Sequence, residues 1–262
     1  MAISGRIGLA LVMAWIVVAL LGPGVAPHGV AEVVHVDVFD TVSRRFPLGT
    51  DYLGRDMLSR VLYGARYTVL IAFVATGIAA AAGILLGLAA AAGGWIDIGL
   101  SRTFDIVIAI PSLMLALVVI AATGASIPVL IGTLALIYTP GAFRTARALA
   151  MGVMALDFVA AARARGERLP YIVVREVLPN VTGPLAADFG LRFVFVVLLL
   201  SGLSFLGLGV QPPQADLGAL VRENIAGLGF GAPAVLFPAV AIASLTIGMN
   251  LVIDSLPGRR RR

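Results

Sequence analysis

Long apolar stretches alternate with short polar ones along the whole chain. Apolar runs around Val12, Ala80, Val118, Leu134, Val197 and Ala243 are each long enough for a helical span of about 20 residues, and they lack the alternation of barrel strands. An all-α polytopic membrane protein with six transmembrane helices is therefore predicted. Ile7 to Leu21 is the first run, and Gly22, Pro23 and Gly24 break it before VAPHGVA. It reads as a retained membrane helix or as a signal peptide, and its length, at the upper edge for a signal, favours the helix. His28 to Arg66 is predicted to be polar and irregular, with a short strand at VVHVDVF and a short helix capped by Asp56. Arg55, Arg60 and Arg66 there lie along a membrane surface or on a solvated face.

Tyr67 to Ala92 forms the second span. Gly93 and Gly94 end it, and a turn carrying Asp97, Arg102 and Asp105 follows. Ile106 to Phe143 has no charge and is too long for one helix, so TGASIP at 123–128 splits it into a hairpin. Pro111 and Pro140 are placed to kink its arms. Pro184 to Leu208 and Pro233 to Ile253 complete the set, with a polar loop over 209–231 between them. Asp188 and Arg192, one turn apart near the start of the fifth span, are able to pair. Gly83 and Gly87 form a small-xxx-small pair suited to close helix packing, although such pairs are also common by composition alone.

The segment 157–184, DFVAAARARGERLPYIVVREVLPNVTGP, cannot sit in lipid. It carries Arg163, Arg165, Arg168 and Arg175, and its alanines, Gly166 and Pro179 predict helix, turn, helix. Flanked by spans, it is a water-facing helical loop that either docks another protein or merely connects.

Composition agrees: 60% of the 262 residues are hydrophobic, and only 13% are charged against a globular norm of about 25%. Cysteine is absent, which removes disulfides and thiol chemistry. His28 and His35 are the only histidines, too few for a histidine-rich metal site. All 19 basic residues are arginine, so no P-loop lysine exists and the chain binds no nucleotide through that motif. The centres of the spans are expected to be free of ionisable groups, which disfavours a proton-coupled machine. Placing Arg6, Arg102, Arg144, Arg147, Arg163, Arg165, Arg168, Arg175, Arg192 and Arg259 to Arg262 on one side leaves six arginines, at 44, 45, 55, 60, 66 and 222, on the other. The richer side, with both termini, is predicted to be cytoplasmic. Asp37, Asp40, Asp51 and Asp56 offset the basic residues of the 44–66 loop.

Ala160-Ala161-Ala162, Gly166 and Leu178-Pro179-Asn180 resemble the E-A-A-x3-G loop and the following L-P element of ABC-importer permease subunits. FPLGTDYLGRDMLSRVLYGAR, RTFDIVIAIPSLMLAL, LSFLGLGVQPP and Asn250-x3-Asp254 extend the match from Phe46 onward. Together they are similar to the C-type permease of dipeptide, oligopeptide and nickel importers, a family that also handles glutathione and haem. The family's glutamate falls on Ala160, its isoleucine on Glu176, and an acid frequent in the family falls on Leu200.

The resemblance implies the type I, MetI-like, ABC-importer transmembrane fold. In that fold 1–66 is a first helix plus extracytoplasmic loop, 67–256 the core with its coupling loop at 157–184, and 257–262 a basic cytoplasmic tail. It implies that Phe158, Ala160, Ala161, Ala162, Arg163, Gly166, Leu178 and Pro179 couple to a cytoplasmic ATPase, with Asp157 or Glu167 standing in for the missing glutamate. It implies an extracytoplasmic binding protein delivering solute near Asp51, Arg55, Asp56 and Gln211, and a second, homologous permease completing the pore. One or two ATPase subunits or domains bind the ATP, so this subunit carries no cofactor and does no chemistry. Membrane lipid surrounds it, and no nucleic acid is involved.

Overall fold

The computed structural model describes residues 3–91 and 93–256, so the basic tail expected at 257–262 lies outside the described residues. Ten α-helices carry the fold: α1 (Ile3–Val25), α2 (Met57–Ala90), α3 (Gly94–Ala109), α4 (Ser112–Thr123), α5 (Ile127–Met154), α6 (Asp157–Ala164), α7 (Leu169–Tyr171), α8 (Leu178–Phe205), α9 (Leu217–Glu223) and α10 (Leu236–Asp254). A π-helical segment, Ile172–Val177, joins α7 to α8. Five helical runs are long and apolar enough to cross a membrane, and α3 with α4 makes a sixth if that pair, bent by 87°, counts as one span.

Helices α2, α5 and α8 form the centre, packed through Ala72, Leu134, Val197 and Leu200. The α2–α5 approach is close because Gly83 and Gly87 face Ala142 and Ala146: a Cβ at Gly87 would come within 2.8 Å of the Ala146 Cβ. The small-xxx-small pair is thus a packing seam. On the outside, α1 lies against α10, where a Cβ at Gly8 would meet the Gly248 carbonyl at 2.6 Å. Trp15 Nε1 donates to Ser244 Oγ at 2.9 Å, so the indole buries its ring without stranding its N–H.

Several boundaries differ from those expected. No strand exists among the described residues; VVHVDVF contributes only an isolated bridge between Val33 and Arg55. Asp56 does cap a helix, accepting from Ser59 N, but that helix is the whole of α2, 34 residues. The turn expected after Gly94 is helix α3, and the third crossing breaks at Ile110-Pro111. Ile110 is extended (φ −88°, ψ 126°) because a residue ahead of proline is pushed out of the helical region. No residue of α3 is buried within the chain. It is fastened through charge instead: Arg144 Nη2 meets Asp105 Oδ1 at 2.5 Å, and Arg147 binds both oxygens of Asp97.

Pro179 does not stop a helix. Leu169–Phe205 runs on for 37 residues as the fifth crossing. The π turn, in which Leu178 N bonds Val173 O, widens the coil just ahead of the proline, and the Asn180 side chain donates to the Glu176 carbonyl at 2.6 Å. Asp188 and Arg192 thus lie well inside this longer helical run, ahead of its charge-free stretch 193–205. The 209–231 loop is also more structured than expected: it holds α9, whose Leu217 and Leu220 are buried against Met57 and Ala65.

Candidate functional site

The helix directions gather the sequence-selected residues at two opposite ends. At one end α6 turns sharply into α7. Val159 and Ala162 on its inner face are buried against Leu88, Ala150, Ile172 and Val177. Phe158, Ala160, Ala161 and Arg163 are exposed on the other face. Ala162, expected at a partner contact, instead anchors the helix. Pro179 is exposed nearby, and Leu178 is half-buried under the corner.

Gly166 makes the corner. Its φ is +82°, and a Cβ there would meet nothing within 4 Å, so glycine is needed for conformation and not for space. Glu167 N bonds Ala162 O at 3.2 Å and Gly166 N bonds Arg163 O at 2.9 Å, the paired bonds of a Schellman cap. Glu176, in the place of the family's isoleucine, lies 3.9 Å from Arg165 across the corner. Leu200, where the family often has an acid, is fully buried in the central core.

The other end holds the loops before α2 and around α9. Asp51, Arg55 and Asp56, expected on a docking surface, are buried, and only Gln211 is exposed. They are structural. Asp51 Oδ2 receives Arg55 Nε at 2.6 Å and lies 3.5 Å from Arg60 Nε. Glu223 Oε2 receives Arg60 Nη2 at 2.7 Å and Arg55 Nη2 at 3.3 Å. Two guanidiniums and two carboxylates make a neutral, nearly dry cluster that ties the loop to α2 and α9. Burial pushes the Glu223 carboxyl above its ordinary range, against the pull of Arg60 and then Arg55. Asn224 closes the joint by accepting from Tyr52 N at 3.1 Å.

Beside it, Asp216 is fully buried. It accepts from Ser204 Oγ at 2.6 Å, Val210 N at 3.1 Å and Ala219 N at 3.0 Å, and so caps α9. Burial pushes its carboxyl up, offset in part by those bonds. Glu223 and Asp216 were not selected from the sequence, and Arg60, read there as lying along a membrane surface or on a solvated face, is instead buried because it pairs with Glu223. The i, i+4 spacing of Asp51 and Arg55 signals their pairing, but no local pattern points from Arg60 to Glu223, 163 positions away.

Residues 83–262 match the family model described as binding-protein-dependent transport system inner membrane component. The dipeptide transport system permease protein DppC of Alkalihalophilus pseudofirmus is 32% identical, over 95% of this chain and 83% of its own. The di/tripeptide transport system permease protein DppC of Pseudomonas aeruginosa is 35% identical, over 97% and 86%. The glutathione transport system permease protein GsiD of Escherichia coli is 33% identical, over 92% and 80%. Among solved structures, the MetNI methionine ABC transporter in an inward-facing form shares the fold, with a TM-score of 0.61 and 19% identity over 76% of this chain and 94% of that one.

A bundle of this kind, with a capped helical corner at one end, is the membrane-spanning permease subunit of an ABC importer, a multi-pass protein of a prokaryotic inner membrane. The chain belongs to the binding-protein-dependent transport system inner membrane component family.

Proposed function

We propose that this subunit forms half of a translocation pathway for dipeptides, oligopeptides or a related small solute, and that ATP hydrolysed by partner subunits drives it. The observation that carries the reading is the α6 corner. One face of α6 is locked to the bundle by Val159 and Ala162, and the opposite face presents Phe158, Ala160, Ala161 and Arg163 to a partner. A short, rigidly capped helix with a free apolar and basic face suits a cleft on a cytoplasmic ATPase, where it receives force without itself unfolding. Ala160 removes the family's charge from that face, and Asp157, exposed in the first turn of α6, supplies one close by.

On this reading the α6 end is cytoplasmic, and both α1 and α10 return to it, since α1 runs antiparallel to α10 and α2. The 28–56 and 206–235 loops then face a solute-binding protein, with Gln211 the exposed member of the residues selected for that contact. A second, homologous permease completes the pore. The glutathione relatives support a glutathione-type peptide as the second reading of the solute. The test is a reconstituted complex of both permeases, the ATPases and the binding protein. Solute-stimulated ATP hydrolysis with uptake that survives collapse of the proton gradient is the expected result; uptake that follows the gradient and ignores ATP would overturn it.

A further inference from the structure

Helix α3 is held unlike any other helix of its length. Among the described helices of eight residues or more, it alone has no residue buried within the chain. Its pattern is inside out: Trp95, Ile98 and Ile106 are exposed, while Asp97 and Asp105 reach α5. Arg147 binds both oxygens of Asp97, and Ser101 Oγ donates to Asp97 Oδ1 at 3.2 Å. Arg144 Nη2 donates to Asp105 Oδ1 at 2.5 Å, and beside it the Phe104 and Phe143 rings lie 4.7 Å apart between centroids. The acids, and not the apolar side chains, hold α3 in place.

Both ends of α3 are jointed. Gly93 and Gly94 have φ of +81° and +75°, and nothing lies within 4 Å of the Cβ that either lacks, so the backbone there has both freedom and room. At the other end Ile110 is extended, Pro111 has no N–H with which to continue the ladder, and α4 leaves at 87°. The elements beyond the joints are fixed by burial, through Leu88 and Ala90 at the close of α2 and through Ala116 and Ile120 on α4. The Arg144–Asp105 pair between them is half-exposed and holds weakly, because water competes for both partners. Arg147 links the arrangement to the α6 corner: Ala150, within one turn of it on α5, is buried in one cluster with Val159 and Ala162 of α6.

Resting on the importer reading above, we infer that α3 is a strap, latched to α5 through Asp97–Arg147 and Asp105–Arg144, and that each transport cycle releases and recloses it. A push on α6 reaches Arg147 through Ala150 and shifts the guanidinium against Asp97. The glycine joint and the proline break then let α3 follow its own course while α2 and α4 stay packed. An ion pair re-forms without the interlocking of side chains that a packed seam requires, and the two-pronged grip of Arg147 on Asp97 returns the strap to one register.

The chain has no cysteine, so the latch can be closed at will. In the complete complex in proteoliposomes, Asp105→Cys with Arg144→Cys is expected to be bridged by a short bis-methanethiosulfonate. Bridging is expected to lower ATP hydrolysis stimulated by alanyl-alanine at least about tenfold, and dithiothreitol to restore it. Asp105→Cys alone is expected to keep the rate it had before the reagent. Arresting the complex with ATP and orthovanadate is expected to slow the bridging. Failure to bridge in the resting complex, bridging equally fast in the arrested one, or a bridged complex that turns over at its unbridged rate overturns the strap. An unaltered complex whose ATP hydrolysis ignores alanyl-alanine refutes the peptide reading instead, and the vanadate comparison then judges the strap by itself.

Discussion

Arg60 and Glu223 lie 163 positions apart in the chain and 2.7 Å apart in space. Their contact binds the first turn of α2 to the last turn of α9, and Arg55 and Asp51 complete the neutral set around it. Glu223→Gln leaves two buried guanidiniums, Arg55 and the 1% exposed Arg60, to share the single carboxylate of Asp51, and should cost about 3–5 kcal/mol. Arg60→Met combined with Glu223→Leu removes both charges and should recover most of that loss. Thermal unfolding in detergent checks the pair of variants, and a double variant as unstable as the single one would contradict the account.

Asp216 makes stability depend on acid pH with a definite sign. Burial raises its folded carboxyl above the ordinary 3.8, so the folded chain holds that proton more tightly than the unfolded one. The increment from this group is fully present below the ordinary value and is lost as pH rises through the raised one. Asp216→Asn has no proton to lose. Melting temperatures compared across the acid range should move in favour of the variant as pH climbs, and a difference constant with pH would count against it.

Gly166 separates conformation from volume. Open space surrounds its missing Cβ, so Gly166→Val meets no clash but places a branched residue at φ +82°, at a cost of roughly 1–2 kcal/mol or more. Asparagine tolerates that region. In the reconstituted complex, Gly166→Val should reach the membrane yet lose solute-stimulated ATP hydrolysis, whereas Gly166→Asn should keep much of it. Equal loss in both would point to the glycine's size instead.

Gly83 and Gly77 share α2 and predict opposite outcomes. A Cβ at Gly83 collides with Ala142 Cβ and comes within 2.7 Å of Phe143 N, backbone that cannot swing aside. Gly83→Val should therefore destabilise by about 1–3 kcal/mol and lower the amount of protein extracted intact. Gly77 has nothing within 4 Å of its missing Cβ, and Gly77→Ala should be tolerated. Size-exclusion profiles of the two variants in detergent would show the contrast.

Hydropathy alone disclosed the crossings around α1, α2, α5 and α10, because lipid demands the same apolar length whatever packs behind it. The α6 corner was equally readable, since Gly166 and the alanines act within one turn of themselves. Two of the misjudged boundaries involve proline. Pro111 breaks a span where a kink was expected, and Pro179 breaks nothing, because the π turn and Asn180 absorb its missing donor. Asp51, Arg55 and Asp56 illustrate a different limit: charge in a loop suggests a wet surface, yet their partners on α9 and in the first turn of α2 bury them. Tertiary pairing of that kind leaves no periodic trace.

The unbroken run from Leu169 to Phe205 bears on how a push would travel. Its 37 residues make a continuous helical run of about 55 Å, joined at its Leu169 end to the corner that Gly166 turns. Over that length a rigid tilt of about 5° about the Leu169 end would carry the Phe205 tip through about 5 Å. On the proposed coupling, length alone would thus turn a small stroke at one surface into a wide displacement at the other.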